Sequence, residues 1–246
     1  MVLEGHPMRK ALLLASLAAL AMAALPAHAQ VVRGDQIVAQ SNFVNRSQAA
    51  IPQVSIIVRA DFVLFSVTYE TATRSADARE AELEKTFKTI TDRAAKAEGV
   101  NIEVGSPGNS AAIETAAIKE LIADRGDDRS SINLVLKISV REKDTFDTIR
   151  ARTEKFVADV PLTGRVEAVI GDSQFLGVSE PKKHRETLIK AIAEDTKLMQ
   201  STFGGSTVPV TVSLTGIESR ALTRPVGPLD LEIYIPYSMS VVSGQK

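Results

Sequence analysis

The side chains of this chain that could carry acyl-transfer chemistry are Ser173 and His184. Ser173 lies in the block Gly171-Asp172-Ser173-Gln174, and a serine hydroxyl becomes a nucleophile when a neighbouring base takes its proton. The chain has three histidines. Two of them lie in a segment that we expect to be removed, so His184 is the only histidine left to act as that base. A hydrolase would also need donors for the oxyanion of its intermediate.

The block is similar to the nucleophile block of GDS-type esterases, and this resemblance implies Ser173 as the nucleophile. In those enzymes the block lies near the start of the mature chain, and an Asp-x-x-His motif follows late in the sequence. Here His184 comes only eleven residues after Ser173 and lacks the aspartate three residues before it. We therefore expect residues 171–174 to form a polar turn after a strand that ends at Ile170. An esterase acting through Ser173 is a remote alternative.

Carboxylates gather at Asp124, Asp127 and Asp128, and oxygen ligands of this kind suit Ca²⁺. Their spacing matches no EF-hand loop, which needs alternating ligands, a central glycine and a distal glutamate. The chain has no cysteine, and a single remaining histidine cannot form a Cys/His zinc site. We expect a hydrated loop tip here, and we predict no catalytic residue, no metal and no cofactor.

Three further motifs have a functional and a plainer interpretation. The run Lys182-Lys183-His184-Arg185 places cations at the start of a predicted helix, where the helix dipole disfavours them. A bound anion or lipid headgroup is one interpretation, and a solvated face is the expected one. Arg-Gly-Asp occurs at residues 33–35 and 125–127, which we take as coincidences of loop composition. Residues 45–47 (Asn-Arg-Ser) form a glycosylation sequon only in a eukaryotic secretory protein.

Residues 8–29 have the pattern of a secretory signal peptide. A positive n-region precedes an apolar run, and Ala27 and Ala29 stand at the −3 and −1 positions of a cleavage site. We expect cleavage after Ala29, with translation beginning at Met1 or Met8. The apolar run is short for a membrane span and no second run follows, so we predict no transmembrane segment in the mature chain. The predicted location is the periplasm or the exterior, with outer-membrane association as a further option.

The composition of the mature chain narrows the classes of partner. Loss of the leader takes two basic residues and one acidic residue from totals of 29 and 30, so the mature net charge is −2. This balance gives no electrostatic case for nucleic acid. Tryptophan is absent and aromatic residues make up 4% of the chain, which weakens a stacking role. The composition thus leaves protein partners open; the missing site residues, the terminal strand with Pro236 and the family resemblance described below favour another copy of the chain or another envelope protein.

Strands and helices are predicted to alternate along one domain of residues 54–242, between a flexible N-terminal arm (residues 30–53) and a tail (243–246). Alternating apolar residues predict strands, and apolar residues three or four apart predict amphipathic helices. The predicted strands cover residues 63–69, 100–104, 132–140, 165–170, 208–217 and 229–242, with a short one at 36–38 in the arm. The predicted helices cover residues 75–98, a segment that begins at 144 or 145 and stops at 161, and residues 181–204.

Two stretches leave alternatives open. Residues 111–123 have helical propensity, but they precede a loop and a clear strand, so a β-hairpin is slightly favoured. Pro236 cannot donate to a strand ladder and indicates an edge position or a bulge in the last strand. Because the terminal strands follow one another, we predict an α+β fold with mostly antiparallel sheets, two long amphipathic helices and one shorter helix.

The order of these elements resembles that of the SIMPL-domain family of exported bacterial proteins. The residues that carry the likeness are Ala60-Asp61 before a V-x-F-x-V strand, the T-x-x-x-x-A-x-A helix entry over residues 71–78, the step Gly99-Val100-Asn101-Ile102, the strand over residues 134–140 with its exit Arg141-Glu142-Lys143-Asp144, the helix entry Glu180-Pro181, and the closing strand over residues 231–241.

The resemblance covers about residues 54–242. It implies a SIMPL-like α+β envelope protein, linked in relatives to oligomeric assemblies and stress tolerance, and it implies no catalytic residues. We therefore predict a non-enzymatic exported protein that acts through self-assembly or protein–protein contacts, in envelope maintenance or stress tolerance. A small-molecule or lipid-binding periplasmic module is the alternative.

Overall fold

The computed structural model describes residues 31–33, 36–40, 54–112, 118–204 and 209–243. The predicted leader, most of the predicted arm and the last three residues of the tail lie outside these ranges.

The described residues form thirteen strands and four helices. In the first half these are β1 (Val31–Arg33), β2 (Gln36–Gln40), β3 (Ser55–Arg59), β4 (Phe62–Thr71), α1 (Ala76–Ala94), β5 (Val100–Ser106), β6 (Asn109–Ala112), α2 (Ile118–Leu121), β7 (Ala123–Gly126) and β8 (Arg129–Ser139). In the second half these are α3 (Phe146–Ala158), β9 (Glu167–Ser179), α4 (Pro181–Phe203), β10 (Val210–Thr215), β11 (Leu222–Pro225), β12 (Asp230–Tyr234) and β13 (Ser238–Ser243).

The strands make three antiparallel sheets, which confirms the predicted α+β class. The main sheet has the order β1-β2-β9-β4-β8-β5-β6, and β7 pairs with β8 beside this path. A three-stranded sheet has the order β11-β12-β3, and β10 and β13 form a two-stranded sheet. The strand predicted at residues 36–38 is present as β2, whose backbone joins the main sheet along β9.

The core lies where the helices pack on the alternating strands. Every second residue of β4 from Val63 to Tyr69 is buried in one cluster with the corresponding residues of β8. The predicted stripe of α1 (Leu83, Phe87, Ile90, Ala94) enters the same cluster, as do Ile149 of α3 and Leu188 of α4. Burial of these apolar side chains is the main force that fixes the helices on the sheet.

Asp61 joins the main sheet to the three-stranded sheet. Its backbone N–H donates to Gly177 O at 2.9 Å, and its carbonyl accepts from Val140 N–H at 2.8 Å. Its carboxylate accepts a bond from Ser179 N–H at 2.6 Å. The residue before it, Ala60, donates to Leu229 O at 2.8 Å. This corner lets one run of extended chain leave β3 in one sheet and enter β4 in the other.

The helix starts were predicted more accurately than the helix ends. Ser75 caps α1 and accepts from Ala78 N–H, and Thr145 forms a capping box with Thr148 at the start of α3. α4 begins with Pro181 and is capped by Gly204, as the sequence predicts. The end of α1 at Ala94, rather than at residue 98, corrects the prediction. The final residues before β5 form turns, and Gly99 takes the positive φ of +75° that brings the chain into the strand.

The segment over residues 111–123 follows neither alternative throughout. Its described part ends β6, then forms the short helix α2, and reaches β7 only at Ala123. The favoured hairpin exists, but it is the short pair of β7 and β8 around the turn at Asp127 and Asp128. The helix therefore covers residues 118–121 of the segment, and the hairpin with β8 includes only its last residue, Ala123.

The C-terminal strands also differ from the prediction. The loop expected between two long strands contains β11, and the expected last strand is divided into β12 and β13. Leu229, Leu231, Ile233 and Ile235 are buried together as predicted. Pro236 lies exposed between β12 and β13 and marks the end of one sheet and the approach to another, rather than a bulge or an edge position.

Candidate functional site

The block Gly171-Asp172-Ser173-Gln174 lies inside β9 and is not the turn that we predicted. β9 continues from Glu167 to Ser179, and its pairing with β4 shifts register between Phe65 and Val67. On β9 the corresponding partners are Gln174 and Ile170, so Gly171, Asp172 and Ser173 bulge from the ladder. Bulges of this kind occur next to active sites as well as at sheet edges.

The space beside this bulge is small. A cavity of about 30 Å³ lies between the bulge and α3, lined by Phe65, Arg150, Thr153, Glu154, Ile170, Gly171 and Gln174. That volume holds one or two water molecules and no ester substrate. Two of the lining residues, Arg150 and Glu154, form an exposed ion pair at 2.8 Å.

The structure does not bring Ser173 and His184 together. Six residues of strand, roughly 20 Å, separate Ser173 from the end of β9, and His184 lies in the first turn of α4 beyond that end. The nucleophile–base geometry that an esterase needs is therefore not formed here.

The cationic run at the start of α4 is partly used inside the fold. The Arg185 guanidinium donates to Ile217 O at 2.8 Å and to Ser219 O. Lys183 lies 3.8 Å from Glu180, and both side chains are exposed. Arg185 therefore anchors the loop after β10, which leaves Lys182 and Lys183 as the solvated face that the sequence favoured.

The acidic residues form the tip of the β7–β8 hairpin. Asp124 accepts a bond from Gly126 N–H at 3.0 Å, and Asp128 lies 3.7 Å from the Arg79 guanidinium. Asp127 and Asp128 have φ values of 49° and 58°, which tight hairpin turns require. Across the described ranges, no three His, Cys, Asp or Glu side chains are placed to hold a metal ion. The second Arg-Gly-Asp lies at this same tip, whereas the first extends outside the described residues, as does the sequon.

A hydrogen-bonded cluster that the sequence did not indicate surrounds the Glu82 carboxylate, in the second turn of α1. Glu82 accepts hydrogen bonds from Thr71 Oγ1 at 2.6 Å and from Thr73 Oγ1 at 3.0 Å, and Arg165 N–H lies at 3.4 Å. Burial raises the pKa of Glu82, but these hydrogen bonds outweigh it, so the pKa lies below its usual value. Gly164, with a φ of +62°, lies directly against the carboxylate, where an added Cβ would overlap it. Glu82 therefore ties β4, α1 and the loop before β9 together.

A cleft of about 440 Å³ opens beside this cluster, at the end of β4. It is lined by Glu70, Thr71, Ala72, Arg129, Gly164, Arg165, Val166 and Glu167. Arg129 and Glu70 form an ion pair at 2.9 Å. The lining therefore presents two guanidinium groups and two carboxylates, and its hydroxyl, that of Thr71, is buried and donates to Glu82. Such a cleft suits binding better than covalent chemistry.

The remaining candidate is an interaction surface formed by β10 and β13, which we call the terminal ribbon. One face of it carries Val212 opposite Val241 and Leu214 opposite Met239. Val241 and Val242 are 40% and 58% exposed, and Phe203 at the end of α4 is 58% exposed. A two-stranded sheet is marginally stable in water on its own. Among the strand residues whose burial is described, two large apolar side chains are exposed on the ribbon, against one (Val169) on the main sheet and one (Ile57) on the three-stranded sheet.

No helix in the described ranges is long and apolar enough to cross a membrane. No family model, no curated protein and no solved structure matches the chain.

Proposed function

We propose that this protein is a non-enzymatic exported envelope protein of the SIMPL-like type, which acts by self-assembly or by contacts with other proteins in envelope maintenance or stress tolerance. The observation that carries the proposal is the terminal ribbon, whose outer strand edges are unpaired in the described structure and whose apolar side chains are exposed. Unpaired strand edges are natural sites of association between chains. The signal-peptide pattern supports export. The resemblance of the elements to SIMPL-domain proteins supports both export and assembly.

The chemistry-bearing residues favour this proposal over the esterase. Ser173 lies in a bulge with a cavity too small for a substrate, and His184 belongs to a different element. The esterase therefore lacks both the base and the substrate space that it requires.

The proposal is tested by measuring the molar mass of the exported protein, purified from the cell envelope, by light scattering over a wide range of concentrations. We expect a mass above that of one chain that increases with concentration. A strictly monomeric protein at every concentration would refute self-assembly. Co-purification of a second protein species in defined ratio would instead support contacts with other envelope proteins.

The mixed-charge cleft favours a second candidate function, the binding of a small molecule. Its volume of about 440 Å³ lies in the range of small-molecule sites, and Arg129 and Arg165 can bind an anionic group. A thermal-shift screen with envelope lipids and metabolites tests this candidate. A dose-dependent increase in melting temperature that is lost in Arg165→Ala supports it, and a screen without any such increase counts against it.

A further inference from the structure

The strands of the terminal ribbon carry no charged side chain. β10 reads Val-Thr-Val-Ser-Leu-Thr and β13 reads Ser-Met-Ser-Val-Val-Ser. Proteins that keep their sheet edges apart place lysines, other charges or prolines on the edge strands. In the described structure each of these strands pairs only with the other. Two uncharged edges with unpaired N–H and C=O groups are therefore open to another strand, and copies of the chain would meet without charge repulsion.

The position of α4 distinguishes the two edges. The helix packs against β10, and the apolar side chains of β10 (Val210, Val212, Leu214) are half-buried. On β13, Val241 is 40% exposed although it stands directly opposite Val212. β13 is therefore the strand whose edge and apolar face are both open.

From this asymmetry we infer that β13 pairs antiparallel with β13 of a second copy of the chain. The two ribbons then form one four-stranded sheet across a two-fold axis, with the order β10-β13-β13-β10. This inference rests on the proposed self-assembly and specifies its interface. We call the contact between the two β13 strands the β13 seam. A two-fold axis between identical antiparallel strands passes through one residue and its own copy, because the interface uses the same surface on both partners.

The side-chain pattern selects Ser240 as the residue on the axis. In that register Met239 stands opposite Val241 of the second copy, on the apolar face and on both sides of the axis. With Val241 on the axis, Met239 would instead stand opposite Ser243. Apolar cross-strand pairs stabilise a sheet more than apolar–polar ones, so the Ser240 register is the better match.

The absence of cysteine from the chain makes the seam directly testable by disulfide formation. Ser240→Cys places a thiol next to its own copy, at a distance that directly opposed strand residues and disulfides share. Ser213→Cys is the matched control, because Ser213 lies directly opposite Ser240 on β10 and both are exposed. Under mild oxidation we expect a covalent dimer from Ser240→Cys and little from Ser213→Cys.

A charge at the same position gives an independent readout. Ser240→Lys sets two ammonium groups opposite each other across the axis, and we expect association to weaken about fivefold. Ser213→Lys should associate as the unmodified protein does. Circular dichroism melting of each variant establishes that it is folded; should a lysine variant fail to fold, the cysteine pair decides.

The outcomes separate the seam from the proposed function. The β13 seam is wrong if the disulfide forms only in Ser213→Cys, in neither cysteine variant, or equally in both. In each of these cases an oligomeric mass measured by light scattering would still support self-assembly. A protein that is monomeric at all concentrations overturns both. An oligomer with a selective disulfide at Ser240 and weakened association in Ser240→Lys supports both.

Discussion

Replacing Glu82 by glutamine should weaken the fold because the glutamine side chain keeps the size of the carboxylate and loses its charge. Hydrogen bonds to a charged group contribute about 1.5–3 kcal/mol to stability, against about 0.5–1.5 kcal/mol for neutral pairs. Two short bonds from Thr71 and Thr73 are affected, and the contact from Arg165 N–H at 3.4 Å is weak. Allowing for the partial exposure of the site, we expect a loss of about 1–2 kcal/mol in the free energy of unfolding at neutral pH.

The pH dependence of this loss identifies the carboxylate as its cause. The pKa of Glu82 is lower in the folded protein than its ordinary value, so the unfolded state binds the proton more tightly. The stabilisation is therefore fully present above the unfolded pKa of about 4.3 and is lost as the pH falls through the lower, folded pKa. The difference between the original protein and Glu82→Gln should be largest at neutral pH and should narrow below about pH 4.

Urea unfolding followed by circular dichroism, at neutral and at acidic pH, measures this difference. Glu154→Gln is a suitable control, because Glu154 is an exposed helix residue that pairs with Arg150 four residues away, and such pairs contribute about 0.3–0.5 kcal/mol. A loss for Glu82→Gln that is equal at both pH values, or no larger than that of the control, would refute the reasoning.

Three further substitutions test other parts of the structure. Tyr69→Phe should raise the free energy of unfolding by about 1 kcal/mol in urea melts, because the Tyr69 hydroxyl is buried without a hydrogen-bond partner among the described residues and burial raises its pKa; a clear loss of stability would contradict this. Gly177→Ala should cost about 1–3 kcal/mol, since an added Cβ would overlap the Phe62 ring, and Phe62→Leu in the same chain should restore part of the loss. Ser173→Ala should leave any ester hydrolysis by the purified protein unchanged, and its abolition would revive the esterase.

The elements that could be predicted are those whose signal is local. The apolar stripes fix α1 and α4, and the caps Ser75 and Thr145 fix two helix starts, because both depend on residues within one or two turns. Alternation fixes β4 and β8 for the same reason. The position of β4 between β8 and β9 depends on pairing between distant segments, and no local pattern specifies it.

The features that were missed depend on a partner strand or a distant side chain. Gly-Asp-Ser is typical of a turn, and only the register of β9 against β4 shows that these residues form a bulge. Glu82 looks like any solvated residue of α1 until Thr71, Thr73 and Arg165 are placed around it. Pro236 predicted an edge position or a bulge, whereas it lies between β12 and β13, and the separation of these two strands depends on the pairing of β13 with β10.

The most direct test of assembly through the terminal ribbon is amide hydrogen exchange of β13 measured at increasing protein concentration. We expect exchange at residues 238–243 to slow as copies associate, because the free edge gains hydrogen-bond partners, while exchange in β4 and β8 stays constant. Exchange in β13 that is independent of concentration, in samples whose light-scattering mass shows association, would contradict the account.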